Sequence, residues 1–233
     1  MNNFSIIIPT LNEKKNIQIL IKKIKESFKK KIFEIIIIDD NSFDGSLPVL
    51  KKLKKILKKF SFYIRKKKTR DLSKSILLGI QKSRYDNLII MDGDLQHNPK
   101  YLPILCEIFL KEKLDILIAV RDFSKRSGLS FIRFFLSLFL IFIINLIFTK
   151  KTSDPMSGFF VIKKKIFIKN KKNLYCKGFK ILFDIIYSTN KNLRIKDYKI
   201  KFISRKNNKS KMSLKVLIHI VLLIFQKLYY KIV

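Results

Sequence analysis

The chain has 233 residues and a mass of 27.7 kDa, which allows one large domain or one domain with a short appendage and excludes a large multidomain assembly. Hydrophobic residues make up 48% and aromatic residues 12%, which excludes a disordered chain. The 51 basic and 17 acidic residues give a net charge of +34, which favours an anionic partner such as nucleic acid, a phosphorylated substrate or anionic lipid. A lysine-rich composition from AT-rich codons is the alternative explanation.

The cysteines and the first residues bear on the compartment. Cys106 and Cys176 lie far apart and outside any CxxC pair, so neither a disulfide framework nor a zinc ribbon is indicated. Residues 1–10 reach Pro9 before an apolar stretch of signal-peptide length, so we expect a protein of the cytoplasm or of the cytoplasmic membrane face. Phe134–Thr149 has no charged residue, but it is shorter than the ~20 residues that a spanning helix usually needs.

Apolar runs of strand length alternate with amphipathic segments of helix length, which predicts βαβ units in an α/β fold with a mostly parallel sheet flanked by helices. In chain order, strands are predicted at Phe4–Ile8, Glu34–Ile38, Phe60–Ile64, Asn87–Met91 and Asp115–Val120. The helices predicted between them are Glu13–Lys30, Ser46–Lys59, Leu72–Ser83 and Pro99–Lys111.

The pattern changes after residue 127. It predicts an apolar helix to about Phe148, a strand near Phe159–Ile162, a helix near Phe179–Thr189, an extended segment over Arg194–Ile203 and a last apolar helix from Leu214 to about Tyr230. The chain has no internal repeat and no Pro/Gly/Ser linker, so we expect a single domain over residues 1–233.

Polar clusters follow four of the predicted strands. They are Pro9–Glu13, Asp39–Gly45, Asp92–Gln96 and Arg121–Arg126. Because ligands of open α/β sheets bind beyond the carboxyl ends of the strands, we expect these clusters to meet at one rim and to carry the chemistry.

The sharpest motif is IIMDGDLQH, at residues 89–97. Asp92 and Asp94, separated by Gly93 beyond a buried strand, can reach one divalent cation from the same side, and Gln96 adds a third oxygen. Hard oxygen ligands suit Mg²⁺ or Mn²⁺, which would bridge the diphosphate of a nucleotide. The alternative is an acidic turn, since Asp-Gly is also common turn chemistry.

Two adjacent aspartates end the second predicted strand. Because neighbouring side chains at a strand end point in different directions, we expect one of Asp39 and Asp40 to contact a nucleoside and the other to brace the loop. The backbone of Pro9–Glu13 could line a base pocket, or the segment could be only a turn and helix cap.

Seven blocks along the chain are IIIPTLNE, EIIIIDDNSFDGS, LIIMDGDLQHNP, DILIAVR, SDPMSGFFVIKK, KGFKILFDI and FISRKNNKSKMS. In this order they resemble the GT-A-fold nucleotide-sugar glycosyltransferases, and within them the dolichyl- or polyprenyl-phosphate mannosyltransferase and glucosyltransferase group. The resemblance implies a Rossmann-like GT-A fold and inverting transfer of mannose or glucose from a GDP-mannose- or UDP-glucose-type donor to a polyprenyl phosphate. Residues 1–127 would bind nucleotide and metal, and residues 128–233 acceptor and membrane.

The resemblance also implies roles for individual residues. The nucleoside site would be lined by Pro9, Leu11, Glu13, Ile38 and Asp40, with Asp39 beside them. The metal would be held by Asp92, Asp94 and Gln96, with Gly93 at the nucleotide. The basic positions around the diphosphate and the acceptor phosphate would be Arg121, Arg133, Lys180, Arg205 and Lys211, of which Arg121, Arg205 and Lys211 are expected with Asp94 to act in catalysis.

Two positions depart from the family pattern. Leu11 replaces the usual aromatic residue, and Asp71 stands where the family has a glycine before Leu72. The first change bears on base stacking and the second on the loop beside the nucleotide, so the base and the hexose are not assigned.

Several other polar residues have two interpretations each. His97 is either a metal neighbour or proton-transfer group, or a structural residue at a helix entry. Asp154 and Ser157 either serve the site or only form a turn, and Asp184 either orients Lys180 or is a surface acid.

The acceptor chemistry separates two enzyme hypotheses. A phosphate monoester, with a second pKa near ~6, is already mostly dianionic at neutral pH and can attack without a base, whereas a saccharide hydroxyl normally needs one. Residues 204–213 supply Arg205, Lys206, Lys209 and Lys211 but no acid, which favours the phosphate. We also expect this segment to close over bound substrates.

The remaining alternatives concern other partners. A saccharide acceptor on the same fold stays open, as does a non-enzymatic basic protein that binds membranes or nucleic acid. The sequence lacks RNA-binding motifs and zinc spacings, so no nucleic-acid partner is expected, and the oligomeric state is not predicted. Leu129–Phe148 and Leu214–Tyr230 are expected to lie at the membrane surface as peripheral helices, with burial in the core as the alternative.

Overall fold

The computed structural model describes residues 3–28, 33–66, 69–122, 140–144, 146–149, 151–176, 178, 180–189, 192–202 and 222–228. The strands are β1 Phe4–Thr10, β2 Phe33–Asp39, β3 Phe60–Ile64, β4 Asn87–Ile90, β5 Ile116–Arg121, β6 Phe160–Lys163 and β7 Ile195–Ile200. The helices are α1 Lys14–Ser27, α2 Ser46–Ile56, α3 Leu72–Lys82, α4 Leu102–Lys111, α5 Lys164–Asn170 and α6 Ile181–Tyr187, with 3₁₀ turns at Pro99–Tyr101 and Lys171–Asn173. Residues 140–144, 146–147 and 222–228 are also helical.

The strands form one sheet in the order β3-β2-β1-β4-β6-β5-β7. β1 pairs in parallel with β2 and β4, β2 with β3, and β5 with β7. β6 is antiparallel to both of its neighbours, β4 and β5. The prediction of an α/β fold with a mostly parallel sheet is confirmed, and the later part of the chain supplies two strands of this sheet.

The sheet is covered on both faces, and β1 shows why its sequence is an apolar run and not an alternating pattern. All seven residues of β1 are buried. Ile6 and Ile8 pack in one cluster with residues of α1 and α4, whereas Ile7 packs in the other cluster with Ile76 and Ile80 of α3. Since side chains alternate across a strand, a strand with helices on both faces needs apolar residues at every position.

The predicted elements differ from the observed ones mainly at their ends. α1 ends at Ser27 and α2 at Ile56, each three residues before the predicted end. After α2, Lys58 and Lys59 are exposed, so continuing the helix would add no buried contacts there. α5 was not predicted at all. Its sequence is KKIFIKN, in which only Ile166 and Phe167 are buried. Such a short apolar pattern cannot be distinguished from a charged loop.

The two long apolar helices predicted late in the chain are described only in part. Ile144 and Phe148 are buried in a third cluster with Phe183, Leu223 and Ile224. Other residues of the same segments are exposed apolar side chains: Phe142, Leu146, Leu222 and Phe225. The two interpretations of these segments are burial in the core and an apolar face at the membrane surface. The described residues include both buried and exposed apolar side chains. Within the described ranges, no helix has both the length and the apolar character needed to cross a membrane.

At Gly79, α3 packs directly against the sheet. A Cβ at this position would overlap Cγ2 of Ile7 on β1 and would lie 3.3 Å from Cγ1 of Ile38 on β2. Both carbons belong to branched side chains in the core, which cannot swing away. The lack of a side chain at residue 79 thus sets the distance between α3 and the strands that lead to the rim.

We predict that Gly79→Ala lowers the free energy of unfolding by about 1–2 kcal/mol. Overpacking costs about 1–3 kcal/mol, and the better helix propensity of alanine returns at most about 1 kcal/mol. Urea denaturation measures the difference, with Gln81→Ala on the exposed face of the same helix as the control. Equal stability of the two variants would show that α3 can move off the sheet without cost.

Candidate active site

Three parallel strands end side by side at the rim where the polar clusters were expected. Thr10, the last residue of β1, is the register partner of Asp39 on β2, and the Asp40 N–H donates to the Thr10 carbonyl at 2.9 Å. The loop after β4 reaches the same place, since a Cβ on Gly93 would lie 2.9 Å from Cγ2 of Thr10. The first three predicted polar clusters therefore do meet.

Asp39 braces the loop that follows β2. Its Oδ1 accepts a hydrogen bond from the Ser42 N–H at 2.8 Å, and its Oδ2 accepts from the Ser42 hydroxyl at 2.6 Å and from the Thr10 hydroxyl at 3.3 Å. The residue is buried. This is the bracing role that the sequence predicted for one of the two aspartates without saying which.

Asp40 is held by a buried arginine. Oδ1 accepts from Nε of Arg65 at 2.8 Å, and Oδ2 accepts from the Asp71 N–H at 2.7 Å. Burial raises the pKa of Asp40, while the Asp71 N–H and the charge of Arg65 act in the opposite direction. The sequence reasoning missed Arg65, although its position directly after β3 places it among the strand-end polar residues.

The other residues predicted for the nucleoside site shape the strand ends. Pro9 and Ile38 are register partners on β1 and β2, and Ile38 is fully buried. Glu13 is buried as well, and its carboxylate accepts a hydrogen bond from Nδ2 of Asn16 at 2.7 Å. Its carbonyl accepts the first backbone hydrogen bonds of α1, from the N–H groups of Asn16 and Ile17. Leu11 is half-buried in the loop between β1 and α1.

Asp92 is partly exposed and lies between His97 and Gly158. Nδ1 of His97 accepts a hydrogen bond from the Asp92 N–H at 3.1 Å, and Nε2 lies 3.9 Å from Oδ2 of Asp92. A Cβ on Gly158 would lie 2.6 Å from that same Oδ2. The carboxylate is thus positioned by an imidazole and by the absence of a side chain on Gly158.

His97 is a buried positioning residue. Its ring stacks on Phe159 with centroids 5.1 Å apart and meets the edge of Phe202 at 5.3 Å. Because Nδ1 accepts a hydrogen bond, the hydrogen-bond pattern assigns the proton of the neutral ring to Nε2, which faces the Asp92 carboxylate. These contacts give His97 a structural role, and its place beside Asp92 also agrees with that of a metal neighbour, which stays a prediction.

Asp94 and Gln96 are buried in the turn after Asp92, where Oδ1 of Asp94 accepts from the Gln96 N–H at 3.1 Å. The motif is therefore an acidic turn, and it also carries the carboxylate and amide oxygens that suit Mg²⁺ or Mn²⁺. Among the described residues, no three or more His, Cys, Asp and Glu side chains form a metal-binding group. Mg²⁺ is usually held by one or two carboxylates together with substrate phosphates, so this donor set fits such an ion.

A basic cluster lies beside Asp92. Arg121, at the end of β5, donates to both carboxylate oxygens of Asp154, at 2.8 and 3.1 Å, and Asp154 has no exposed surface. Nζ of Lys180 donates to the Met156 carbonyl at 3.2 Å. Desolvation lowers the pKa of Lys180, and the nearby Arg121 lowers it further, whereas Asp154 and Asp92 raise it. Arg121, the first residue of the fourth predicted cluster, and Lys180 therefore join the acidic turn; residues 123–126 of that cluster lie outside the described ranges.

The turn before β6 is bonded to the sheet. The Ser157 hydroxyl donates to the Ala119 carbonyl of β5 at 2.7 Å and accepts from the Phe159 N–H at 3.1 Å. Asp197 on β7, which the sequence reasoning missed, accepts from the Thr152 hydroxyl at 2.6 Å. Asp154 and Ser157 thus both form the turn and fix its place at the rim.

Asp184 is not the surface acid that one interpretation predicted. It is buried in α6, accepts from the Tyr175 and Cys176 N–H groups at 3.0 and 2.9 Å, and forms an ion pair with Lys227 at 2.7 Å. Its carboxylate holds the segment that precedes Lys180, and its backbone N–H donates to the Lys180 carbonyl at 3.1 Å. The sequence alone could not pair it with a lysine 43 positions later.

Several predicted residues lie outside the described ranges. They are Arg133, Arg205 and Lys211, together with Lys206, Lys209 and the rest of residues 204–213. Their roles stay predictions.

Sequence matches to known proteins assign the family. Residues 5–170 match the model of Glycosyl transferase family 2, so the chain belongs to that family. It is 32% identical to a dolichol-phosphate mannosyltransferase of Pyrococcus furiosus over 78% of this chain and 51% of the relative. It is 30% identical to the Saccharomyces cerevisiae protein of the same name over 92% of this chain and 83% of the relative. The chain spans about half the length of the archaeal relative.

Solved structures agree on the fold. Glucosyl-3-phosphoglycerate synthase from Mycobacterium tuberculosis, crystallised with Mn²⁺, UDP-glucose and phosphoglyceric acid, superposes with a TM-score of 0.73 at 15% identity, over 97% of this chain and 79% of that one. Its complex with phosphoglyceric acid gives 0.69, also at 15% identity, over the same shares of the two chains. The prediction of a GT-A fold is confirmed, as is the family resemblance.

We predict that Arg65→Met destabilises the protein by roughly 3 kcal/mol, because it leaves the buried carboxylate of Asp40 without its ionic partner. The matched control is Lys22→Met, since Lys22 forms an exposed ion pair with Glu26, and exposed pairs contribute at most about 1 kcal/mol. Chemical denaturation of both variants measures the contrast. Similar losses in the two variants would mean that the Arg65 pair behaves like a surface pair.

Proposed function

We propose that this chain is an inverting glycosyltransferase that moves a hexose from a nucleoside-diphosphate sugar to a polyprenyl phosphate at the membrane surface. The observation that carries the proposal is the meeting of the acidic turn at Asp92 with the cations Arg121 and Lys180. Such a site can bind a diphosphate through a metal on one side and through cationic side chains on the other. The name of the curated relatives, dolichol-phosphate mannosyltransferase, supports transfer of a hexose to a polyprenyl phosphate. The UDP-glucose in a structural neighbour supports the donor class.

The donor would lie across the ends of β1, β2 and β4. The nucleoside would occupy the space beside Asp39 and Asp40, and the diphosphate would lie toward Asp92. Asp92, Asp94 and Gln96 would hold Mg²⁺ or Mn²⁺, which when bound neutralises charge on the diphosphate. Mn²⁺ in the structural neighbours is consistent with this choice.

The chain's own cations would stabilise the leaving group. As the bond from the anomeric carbon to the diphosphate breaks, negative charge builds on the leaving phosphate. Arg121 is held in place by its two bonds to Asp154, and Lys180 is held by the Met156 carbonyl, so both can meet this charge without reorganising. Partial burial of Lys180 strengthens its electrostatic effect, because the surroundings have a low dielectric constant.

The acceptor step needs a cationic cradle and no general base. A phosphate monoester is mostly dianionic at neutral pH, so one of its oxygens can attack the anomeric carbon directly. Attack by a single acceptor from the side opposite the leaving group inverts the configuration. We assign the cradle to Arg205 and Lys211, with Arg133 near the diphosphate, on the basis of the sequence blocks.

The exposed apolar side chains of the late helical segments would contact the membrane. Phe142 and Leu146 are 63% and 76% exposed, and Leu222 and Phe225 are 47% and 65% exposed, on segments that share one buried cluster. The net charge of +34 would draw this surface toward anionic headgroups on the cytoplasmic face. Peripheral attachment would place the site where a lipid-linked phosphate emerges.

The first test is a screen of nucleotide sugars with Mn²⁺ or Mg²⁺ and a polyprenyl phosphate. We expect a lipid-linked hexosyl phosphate that is labile to mild acid. A product on a saccharide hydroxyl, with none on the lipid phosphate, would overturn the acceptor assignment while leaving the transferase class in place.

We predict that Asp92→Ala and Asp94→Ala each lower the rate of transfer by at least about 100-fold, as expected when a group that stabilises transition-state charge is lost. The matched control is Asp86→Ala, an exposed carboxylate just before β4, at the opposite end of that strand from Asp92. Initial rates at saturating metal and donor provide the comparison. Near-normal turnover in either acidic-turn variant would sink the metal assignment.

We predict that Leu146→Asp combined with Phe225→Asp reduces binding to anionic lipid vesicles by more than tenfold. Burying one such side chain is worth about 1.5–3 kcal/mol, and a charge in its place opposes insertion further. Ile56→Asp combined with Ile168→Asp, at two exposed positions outside these segments, is the control. Co-sedimentation with vesicles measures the binding of both double variants. An equal loss of binding in the two would mean that the added negative charge, and not these apolar side chains, accounts for the effect.

A further inference from the structure

Asp71 joins three segments that are far apart in the sequence. Its Oδ1 and Oδ2 accept from the Gly178 N–H at 3.2 and 3.1 Å, and Oδ1 also accepts from the Lys74 N–H at 3.1 Å. Its own N–H donates to the carboxylate of Asp40 at 2.7 Å. Asp71 is buried, so these hydrogen bonds form away from competing water.

Gly178 is held from both sides by the first turn of α3. Its N–H is bound by Asp71, and its carbonyl accepts from the Ser73 N–H at 2.9 Å. Its φ of 89° lies in the left-handed region that glycine adopts without strain. Lys180 follows two residues later, immediately before α6. It therefore lies between Gly178, which is bonded to α3, and the first turn of α6.

Helix capping does not account for all of these contacts. An N-cap needs one side-chain acceptor for a backbone N–H of the first turn, and serine or asparagine supplies it equally well. Asp71 has a φ of −158°, which is extended backbone that any residue adopts. The glycine that the family pattern has at this position would form neither the cap nor the bond to Gly178.

We infer that Asp71 is a positioning residue that holds Lys180 at the rim through Gly178. Its backbone bond to Asp40 also fixes the position of Lys180 relative to the loop after β2. The inference rests on the proposed function, in which Lys180 stabilises the leaving phosphate. The chain of contacts runs from Arg65 to Asp40, from Asp40 to the Asp71 backbone, and from the Asp71 carboxylate to Gly178. It joins the nucleoside end of the rim to its phosphate end.

Substitutions at residue 71 can separate positioning from capping. The bond to Asp40 comes from the backbone and survives any substitution except proline. Asp71→Ser keeps a good N-cap, but its shorter side chain cannot span the distance to Gly178. Asp71→Asn keeps both the cap and an acceptor that reaches Gly178, so it is the conservative variant that should rescue the function.

The kinetic test is a double-mutant cycle with Lys180→Ala. At a temperature where melting curves show every variant fully folded, we expect Asp71→Ser to lower kcat roughly tenfold and Asp71→Asn to stay within about twofold of the wild type. In the Lys180→Ala background, we expect Asp71→Ser to add less than twofold. Additive effects of the two substitutions, or a wild-type kcat for Asp71→Ser, would overturn the inference.

A second readout does not depend on turnover. Competitive acetylation with mass spectrometry measures the reactivity of each lysine amine, with the exposed Lys82 as the internal reference. We expect Lys180 to label several-fold faster in Asp71→Ser than in the wild type or Asp71→Asn. Unchanged labelling would refute positioning by Asp71 and leave the proposed function standing. Faster labelling in a protein whose wild type transfers no hexose would refute the proposed function and keep the positioning role.

Discussion

The antiparallel placement of β6 is the constraint on which the site depends. β6 lies between β4 and β5 and runs against both, so Phe160 at its first position pairs with Ile90 near the end of β4 and with Ile118 of β5. A strand of this direction must be entered from the rim at which its neighbours end. The turn Asp154–Gly158 therefore lies beside Asp92, although Asp154 is 62 positions further along the chain. If β6 were parallel to its neighbours, the turn that precedes it would lie at the other end of the strands, where β4 and β5 begin.

The charges delivered in this way need partners because they are buried. Asp154 has no exposed surface, and an unpaired carboxylate there would be too costly to keep ionised. Arg121 supplies two hydrogen bonds in the planar geometry that suits a carboxylate. The pair adds little to stability compared with apolar packing, but it fixes the direction of the guanidinium. The same reasoning applies to Asp40 and Arg65 at the other end of the rim.

Much of this arrangement could be predicted from the sequence, because strand ends and turn residues leave local signals. The apolar run of β4 followed by Asp92-Gly93-Asp94 located the acidic turn, and the rule for open α/β sheets placed it at the rim. Contacts between distant segments leave no such signal. Nothing near Asp71 in the sequence indicates that its carboxylate meets Gly178, 107 positions away. α5 was missed because three consecutive apolar residues among lysines show no helical period.

A buried lysine illustrates how a long-range contact can orient an apolar helix. Lys227 pairs with Asp184 at 2.7 Å and donates to the Asn173 carbonyl at 2.9 Å, with almost no exposed side-chain surface. Apolar contacts alone define the rotation of residues 222–228 weakly, since apolar side chains face in several directions. One paired charge does define it, because any other rotation would bury Lys227 unpaired or pull it from Asp184. With Lys227 fixed inward, Phe225 must face outward, and the carboxylate that orients this segment is the one that holds the approach to Lys180.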